Sequence, residues 1–455
     1  MKVRCTVVVL CLVAIAAPAA QEVRRGSPPP EVRAVFDALL GALNGGSADA
    51  WEAFAQARFS PAFLQRQSRD ERAQLYHQLV ARFGTVAIEG VRREGPDAPL
   101  QMNVKGSKAT GVILLSLDAG SPPRIDDLKL APDAPASAAA GGTAPPINSS
   151  MTSVEIDRGL DGYFARLAAD DTFSGVALVA RNGVPVFFRA YGLADREKKI
   201  ANTIRTRFNL GSINKAFTQV AIHQLVAAGK LTYSDTLGKF FPDYPQETTR
   251  SATIEQLLGH RAGLSDFFGA EFDRAPKAQF ASNADYFRFV GSRPPAFAPG
   301  AREQYCNGCY IALGAIVERA SGMPYEKYVA DQVFARAEMT STGYPRSDRP
   351  EADIAQGYTR RGGSGALVNN LAMHGVTGSA AGGGYSTALD LLTYVKGVRA
   401  GKFPGTSGEM GIGGGAPGIN AIVETRGEWT VIVLANLDPP AAGQVGIAIA
   451  DALDR

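Results

Sequence analysis

One segment in the middle of the chain is apolar around most of the circumference that a helix would give it. A helix of this kind is stable in water only when other elements cover almost all of its sides. The segment therefore predicts a central helix that lies between layers of a sizeable domain, beginning after Gly211 and ending at Gly229. The apolar residues concerned are Phe217, Val220, Ala221, Ile222, Leu225 and Val226.

Strand-like runs at both ends of residues 151–455 predict a sheet that could cover this helix. Two runs near the start are joined through Asn182-Gly183, a dipeptide typical of a tight hairpin turn. Two more runs near the end flank Arg426-Gly427, and helical spacing fills much of the chain between the hairpins. We therefore predict an α/β domain with one antiparallel sheet flanked by helices.

The chain divides at residues 132–150, which are rich in Ala, Pro, Gly and Ser and have no apolar periodicity. This composition is typical of a linker. Residues 28–131 show helical spacing first and strand-like runs afterwards, which predicts a small α+β accessory domain. Two interpretations of this domain are open. In the first, the domain binds a partner or mediates dimerisation. In the second, it has no chemistry of its own.

Residues 1–19 predict a signal peptide. Two basic residues precede a short apolar run, and Ala17-Pro18-Ala19 has small residues at the spacing that a signal peptidase recognises. The run is shorter than the ~20 residues that cross a bilayer, although an uncleaved anchor is the alternative. We expect cleavage after Ala19 and a periplasmic or secreted protein without a stable membrane span.

Composition and charge exclude some classes of partner. Lys and Arg number 47 against 44 Asp and Glu, a formal net charge of +3, so no basic surface for nucleic acid is predicted. The histidines stand far apart, which makes a multi-histidine metal site an unfavourable interpretation.

The cysteines that follow the signal form a C-x-x-C pair, Cys306 and Cys309. In an oxidising compartment such a pair can close a small disulfide. Two buried free thiols and redox chemistry are the alternatives.

Ser212-x-x-Lys215 is the first candidate for catalysis. If Ser212 opens the central helix, Lys215 lies one turn further on the same face. Burial and the positive end of the helix both disfavour an ammonium ion there, so both lower the lysine pKa. A neutral lysine can accept the serine proton and turn the hydroxyl into a nucleophile. The alternative is a helix-capping serine beside a solvated lysine.

Tyr305-Cys306-Asn307 is the second candidate, because it directly precedes another helical run. A phenol near Lys215 could share the proton transfer and protonate a leaving group. An amide there could orient a substrate carbonyl and hold the lysine. A packed aromatic residue with a local hydrogen bond is the alternative for the tyrosine.

Four motifs in this order resemble the β-lactamase-related serine hydrolases, which include class C β-lactamases, related penicillin-binding proteins and S-x-x-K esterases. The resemblance covers about residues 155–455. The motifs are Ser212-x-x-Lys215, residues 253–264, Tyr305-x-Asn307 and residues 381–387.

The resemblance implies a β-lactamase-like antiparallel sheet flanked by helices, an all-helical subdomain, and an acyl-enzyme mechanism with neither metal nor organic cofactor. It implies that Ser212 is the nucleophile, Lys215 the base and Tyr305 the partner acid/base. Asn307 would contact the substrate, and His260 would pack in the core.

The chain departs from the family at the third motif, which is usually Lys-Thr-Gly or His-x-Gly. The nearest equivalent is residues 411–418, which place Ile412 where the cationic or imidazole side chain would stand. Isoleucine cannot donate a hydrogen bond or attract a carboxylate. Gly414 and Gly415 leave backbone N–H groups for the substrate, and Gly415 is the candidate second oxyanion donor. We therefore expect neutral donors to suit the site.

Three functions are compatible with these residues. The leading one is an exported serine hydrolase that acylates Ser212 with a small ester or amide. A β-lactamase or D-amino-acid peptidase acting on peptidoglycan-like substrates is the second, and a catalytically weak penicillin-binding-like module is the third. A Ser-His-Asp triad is not predicted, because the chain has no G-x-S-x-G elbow and Asp266 resembles a surface or capping acid.

Overall fold

The computed structural model describes residues 30–92, 99–108, 110–118, 120–130, 144–349, 351–360, 366–406 and 408–454. The predicted signal peptide lies outside these residues, as does the predicted linker before residue 144. The chain divides into two units between residues 131 and 132.

The first unit consists of α1 (Pro30–Asn44), α2 (Ala48–Arg58), α3 (Pro61–Arg66), α4 (Arg69–Phe83), β1 (Val86–Arg92), β2 (Leu100–Gly106), β3 (Thr110–Leu117) and β4 (Ile125–Leu130). Its strands form an antiparallel sheet of order β1-β2-β3-β4. Its α+β character is the one predicted, whereas α2, α3 and β4 were not expected because they are short and weakly patterned. A capping box in which Ser68 and Glu71 satisfy each other's backbone N–H groups begins α4.

The second unit contains a larger antiparallel sheet and most of the helices. Its helices are α5 (Ser153–Ala169), α6 (Asn214–Ala227), α7 (Leu237–Phe240), α8 (Ile254–Leu258), α9 (Ala270–Arg274), α10 (Asn283–Gly291), α11 (Asn307–Ser321), α12 (Tyr325–Val329), α13 (Ala388–Arg399) and α14 (Gly443–Leu453). Its strands are β5 (Gly175–Arg181), β6 (Val184–Tyr191), β7 (Leu193–Asp195), β8 (Ile200–Ala201), β9 (Phe208–Asn209), β10 (Tyr358–Thr359), β11 (Val368–Asn369), β12 (Tyr385–Ser386), β13 (Gly411–Ala416), β14 (Ile419–Arg426) and β15 (Trp429–Ala435).

The larger sheet has the order β13-β14-β15-β5-β6 and is covered on both faces. Because successive side chains of a strand point to opposite faces, Val176 and Leu178 join the core that contains α6, whereas Ala177 and Val179 join the core that contains α5 and α14. The predicted turn between β5 and β6 has positive φ at Asn182 and Gly183, as a tight hairpin requires. The predicted sheet flanked by helices is therefore confirmed.

The second unit begins earlier in the chain than residue 151. Ile147 is only 7% exposed and packs in the same core as Ile156 and Leu160 of α5. An isolated isoleucine among polar and small residues has no periodicity, which is why residues 144–150 resembled a linker.

The predicted central helix is α6, and its apolar residues are buried on almost every side. It ends before Gly229, which has a φ of +67°. A 3₁₀ turn, Gly211–Ile213, precedes the helix, so Ser212 lies in that turn rather than in the first turn of the α-helix. Helix α6 packs against α11, and this contact brings Lys215 and Asn307 together.

Within the described part of the chain, we find no helix with the length and apolar character needed to span a membrane.

Candidate active site

Ser212 lies where the chain passes from β9 into the 3₁₀ turn before α6. Gly211 directly before it has a φ of +51°, a left-handed conformation that favours glycine. A Cβ atom on Gly211 would also lie 2.9 Å from the backbone nitrogen of Gly415. Only a glycine therefore lets this turn approach β13 so closely.

The amine of Lys215 is buried beside the Ser212 hydroxyl. The residue is 7% exposed, and its Nζ lies 3.1 Å from Ser212 Oγ. Nζ also donates to Asn307 Oδ1 at 2.8 Å and to the backbone oxygen of Ala381 at 2.7 Å. A neutral amine has two N–H groups, and these two carbonyl oxygens can accept both. The lone pair of the neutral amine then remains available to accept the Ser212 hydroxyl proton.

Burial lowers the pKa of Lys215 to about 7, because the ammonium form is poorly solvated there. The carboxylate of Asp266 opposes this effect and raises the lysine pKa. The rings of Tyr305 and Tyr310, whose centroids lie 4.8 and 5.5 Å from Nζ, also favour the cation. Desolvation nevertheless outweighs these opposing effects, so a large fraction of this lysine is neutral at physiological pH.

The hydroxyl of Tyr305 donates a hydrogen bond to the same serine oxygen, at 2.6 Å. The residue as a whole is 55% exposed, but the surroundings of its hydroxyl are buried enough to raise the tyrosine pKa. The hydrogen bond to Ser212 lowers that pKa and the charge of Asp266 raises it further. The phenol therefore holds its proton at neutral pH.

His260 supports the loop that carries Tyr305. Its ring stacks on the Tyr305 ring with centroids 4.9 Å apart, and its Nδ1 accepts the backbone N–H of Cys306 at 3.1 Å. Burial and the charge of Lys215 lower the pKa of His260 to about 4, so the imidazole is neutral at physiological pH. These contacts are of the packing kind that the family resemblance implied for His260.

The predicted C-x-x-C pair is bridged at the beginning of α11. Cys306 and Cys309 form a disulfide with an S–S distance of 1.96 Å. The bridge therefore joins the N-cap residue, which directly follows Tyr305, to the first turn of the helix that carries Asn307.

The two predicted glycines of β13 lie beside Ser212 in different environments. Gly415 lines the same cavity as Ser212. Gly414 is buried, and a Cβ on it would lie 2.0 Å from the backbone oxygen of Leu210 and 2.8 Å from the backbone nitrogen of Ser212. Gly414 therefore lets the backbone of β13 approach the backbone of residues 210–212 closely. Ile412 is half-buried and packs against the hydrophobic core, so it supplies no polar group.

The structure corrects the interpretation of Asp266 as a simple surface or capping acid. Its Oδ1 does accept a local backbone N–H, from Phe268 at 3.1 Å. Its Oδ2, however, accepts the side-chain N–H of Asn307 at 2.8 Å. Asp266 thus forms a chain of contacts through Asn307 to the amine of Lys215.

A cavity of about 300 Å³ opens beside Ser212. Asn307 and Gly415 lie at its reactive end, and much of the remaining wall is apolar. Among the residues described by the structure, no group of three or more His, Cys, Asp and Glu residues could hold a metal ion.

Comparison with known proteins identifies the family of the chain. A family model described as Beta-lactamase matches residues 160–409, which is more than half of the chain. The chain belongs to the beta-lactamase family. Membership confirms the predicted β-lactamase-like fold and the assignment as a serine hydrolase.

Individual members of the beta-lactamase family resemble the chain over different lengths. Esterase EstB of Burkholderia gladioli is 30% identical over 336 residues, which cover 65% of this chain and 84% of EstB. Beta-lactamase of Escherichia coli is 29% identical, over 40% of this chain and 46% of that protein. The crystal structure of a penicillin-binding protein from Bacillus halodurans has a TM-score of 0.58 at 29% identity, covering 63% of this chain and 98% of that one.

The structure brings four of the predicted site residues into one cluster. Lys215 and Tyr305 contact the oxygen of Ser212, and Asn307 contacts the lysine amine. The contact of Lys215 with the Ala381 carbonyl was not predicted, although Ala381 begins one of the family motifs.

Proposed function

We propose that this protein is an exported serine hydrolase that cleaves neutral esters or amides through an acyl-enzyme at Ser212. The observation that supports it best is the convergence of two proton carriers on one hydroxyl oxygen. Lys215 Nζ lies 3.1 Å and Tyr305 OH 2.6 Å from Ser212 Oγ. Export is proposed from residues 1–19 alone, and it requires a mature chain that begins at Ala20.

Acylation begins when Ser212 Oγ attacks the substrate carbonyl carbon and its proton passes to neutral Lys215. The carbonyl oxygen becomes an oxyanion, for which the backbone N–H groups of Ser212 and Gly415 are the proposed donors. As the bond to the leaving group breaks, the Tyr305 phenol protonates that group, and the Lys215 ammonium returns a proton to the phenolate. The products of this half-reaction are the free alcohol or amine and a serine ester.

Deacylation reverses the same proton transfers with water in place of the serine. Neutral Lys215 accepts a proton from the attacking water, and the bond from the acyl carbon to Ser212 Oγ breaks. The serine oxygen regains a proton through Lys215 or Tyr305, so no other reactant is consumed. The acid product leaves and the starting state is restored.

A neutral acyl donor is favoured because the site lacks the side chain that would attract a carboxylate. Ile412 occupies the position where the family usually has lysine or histidine, and it packs against the core. The similarity to esterase EstB supports an ester as the donor, without identifying which one. A β-lactamase, a D-amino-acid peptidase and a weak binding module are the alternatives that an experiment must separate.

A panel of three acyl donors separates these functions. We expect the purified protein to turn over p-nitrophenyl butyrate at least about tenfold faster, in kcat/KM, than benzylpenicillin or an acyl-D-Ala-D-Ala peptide, since a missing charged contact costs about 1.5–3 kcal/mol. Preferred hydrolysis of penicillin or of the peptide would contradict the proposal. Acylation of Ser212 without turnover of any donor would instead favour the binding module.

A further inference from the structure

Two loops give the cavity beside Ser212 an apolar wall. One lies between α8 and α9 and contributes Phe267 and Phe268, and the other contains a 3₁₀ turn, Leu371–Met373. Phe272 of α9 and Val376 complete much of this apolar surface. Ligand pockets that bind through apolar contact are lined in this way, with a few polar groups at the reactive end.

Two side chains of this wall are exposed to an unusual degree for their size. Phe268 is 46% exposed and Leu371 is 49% exposed, although Phe267 and Phe272 beside Phe268 are buried. Large exposed apolar side chains that flank a cavity lose contact with water when a ligand covers them. Their exposure therefore favours a ligand that presents apolar surface to both loops.

Every charged side chain that lines the cavity already has an ion-pair partner among the described residues. Lys198 pairs with Asp195 at 2.8 Å, and both line the cavity. The remaining two pairs are Arg346 with Asp348 and Glu351 with Arg207, each at 2.8 Å. A substrate carboxylate would have to compete with a protein carboxylate for Lys198 or Arg346.

We propose that the acyl group this site accepts is large and apolar, such as a medium-length alkyl chain or an aryl group, held between the loops of Phe268 and Leu371. The inference rests on the proposed function, because it names the substrate class of the same site. The apolar wall contributes binding energy in proportion to the acyl surface that it removes from water.

A series of p-nitrophenyl esters from acetate to hexanoate tests this inference. Each methylene that enters the apolar cavity is worth up to about fourfold in kcat/KM, so we expect hexanoate to exceed acetate by at least about tenfold. Leu371→Ala and Phe268→Ala should each reduce the hexanoate-to-acetate ratio by at least about threefold. Leu389→Ala is the matched control, because Leu389 is 47% exposed but lies on α13 and does not line the cavity.

The outcomes distinguish failure of this inference from failure of the proposed function. Equal kcat/KM for all esters, or equal loss of the ratio in Leu389→Ala, would overturn the apolar acyl site while Ser212 hydrolysis stands. If no ester acylates Ser212 at all, the proposed function itself fails. Both the apolar acyl site and the proposed function are supported if kcat/KM rises with acyl length and if this rise is reduced in Leu371→Ala and Phe268→Ala but not in Leu389→Ala.

A second, independent observation concerns Asp266. An amide side chain can present either its oxygen or its nitrogen to a neighbour, but an ionised carboxylate only accepts hydrogen bonds. Because Asp266 Oδ2 accepts the Asn307 N–H at 2.8 Å, the oxygen of that amide must face Lys215. Asp266 therefore fixes the orientation of the Asn307 amide, and the oxygen of that amide in turn orients the lysine amine.

We infer that Asp266 is a positioning residue that acts on Lys215 through Asn307. Its negative charge also acts on the lysine directly. The other titratable groups close to the amine are Tyr305 and Tyr310, whose rings face Nζ, and neutral His260. Asp266 is consequently the anionic side chain whose charge raises the pKa of the Lys215 amine.

Substitutions of Asp266 should change the pH profile as well as the rate. Asp266→Asn removes the charge that raises the lysine pKa, so the acidic limb of kcat/KM should move to lower pH. Asp266→Ala also releases Asn307 and should lower kcat between about ten- and a hundredfold through misplacement of the amine. Asp273→Asn, an exposed acid of α9, is the matched control and should leave the limb in place. The inference would be overturned if the acidic limb of kcat/KM stayed in place in Asp266→Asn and if Asp266→Ala kept the wild-type kcat.

Discussion

Ser212→Ala is expected to lower ester turnover by at least about 10⁴-fold, since no other described group at the site can take over as nucleophile. The change removes a single oxygen and leaves Lys215 bonded to Asn307 Oδ1 and Ala381 O. The fold should therefore persist, and the melting temperature should change by only a few degrees.

A second serine of the same cavity provides the control for this experiment. Ser347 lines the cavity but makes no described contact with Lys215 or Tyr305. Ser347→Ala should react with a fluorophosphonate as the unchanged protein does, whereas Ser212→Ala should not react. Turnover by Ser212→Ala above about 0.01% of the original rate would contradict nucleophilic catalysis by Ser212.

Lys215→Ala is expected to reduce kcat/KM by more than about 100-fold, which is the usual contribution of a general base. The unchanged enzyme should also lose activity as the pH falls through about 7, the pKa of Lys215. Below that value the buried amine is protonated and cannot accept the serine proton, so kcat/KM should fall tenfold per pH unit. Since the pKa of Tyr305 is raised, no matching loss from the phenol is expected between pH 7 and its ordinary value of 10.

Two variants separate the proton-accepting role of Lys215 from its charge. Lys215→Arg keeps a cation that does not deprotonate in proteins, and it should be about as inactive as Lys215→Ala. An acidic limb that persists unchanged in Lys215→Ala, with activity near that of the unchanged enzyme, would assign the titration to another group.

Local sequence patterns predicted those site residues that lie close together on a single helix and the turn before it. Ser212 and Lys215 are three residues apart, so the turn and α6 place them together wherever that helix lies. Tyr305 and Asn307 directly precede a predicted helix, and their pairing with Lys215 followed from the family resemblance rather than from spacing. The structure places both residues against the serine-lysine pair.

Contacts between distant segments could not be predicted in the same way. The Ala381 carbonyl reaches Lys215 from 166 positions away, and the contact depends on how a glycine-rich turn packs on α6. Asp266 carries no pattern that distinguishes it from a loop-capping acid, and only the tertiary contact with Asn307 reveals it. Ile147 is likewise buried in its core, but a single apolar residue has no periodicity from which this burial could be predicted.

In the proposed mechanism, the acyl group of the substrate becomes covalently attached to the hydroxyl oxygen that Lys215 and Tyr305 both contact. Acid-quenching the enzyme milliseconds after mixing with p-nitrophenyl hexanoate and mapping the peptides by mass spectrometry tests it most directly. We expect one hexanoyl group per molecule, on Ser212, which forms and decays at rates compatible with kcat. Rapid ester turnover with an unmodified Ser212 throughout, or with the acyl group on a different side chain, would contradict it.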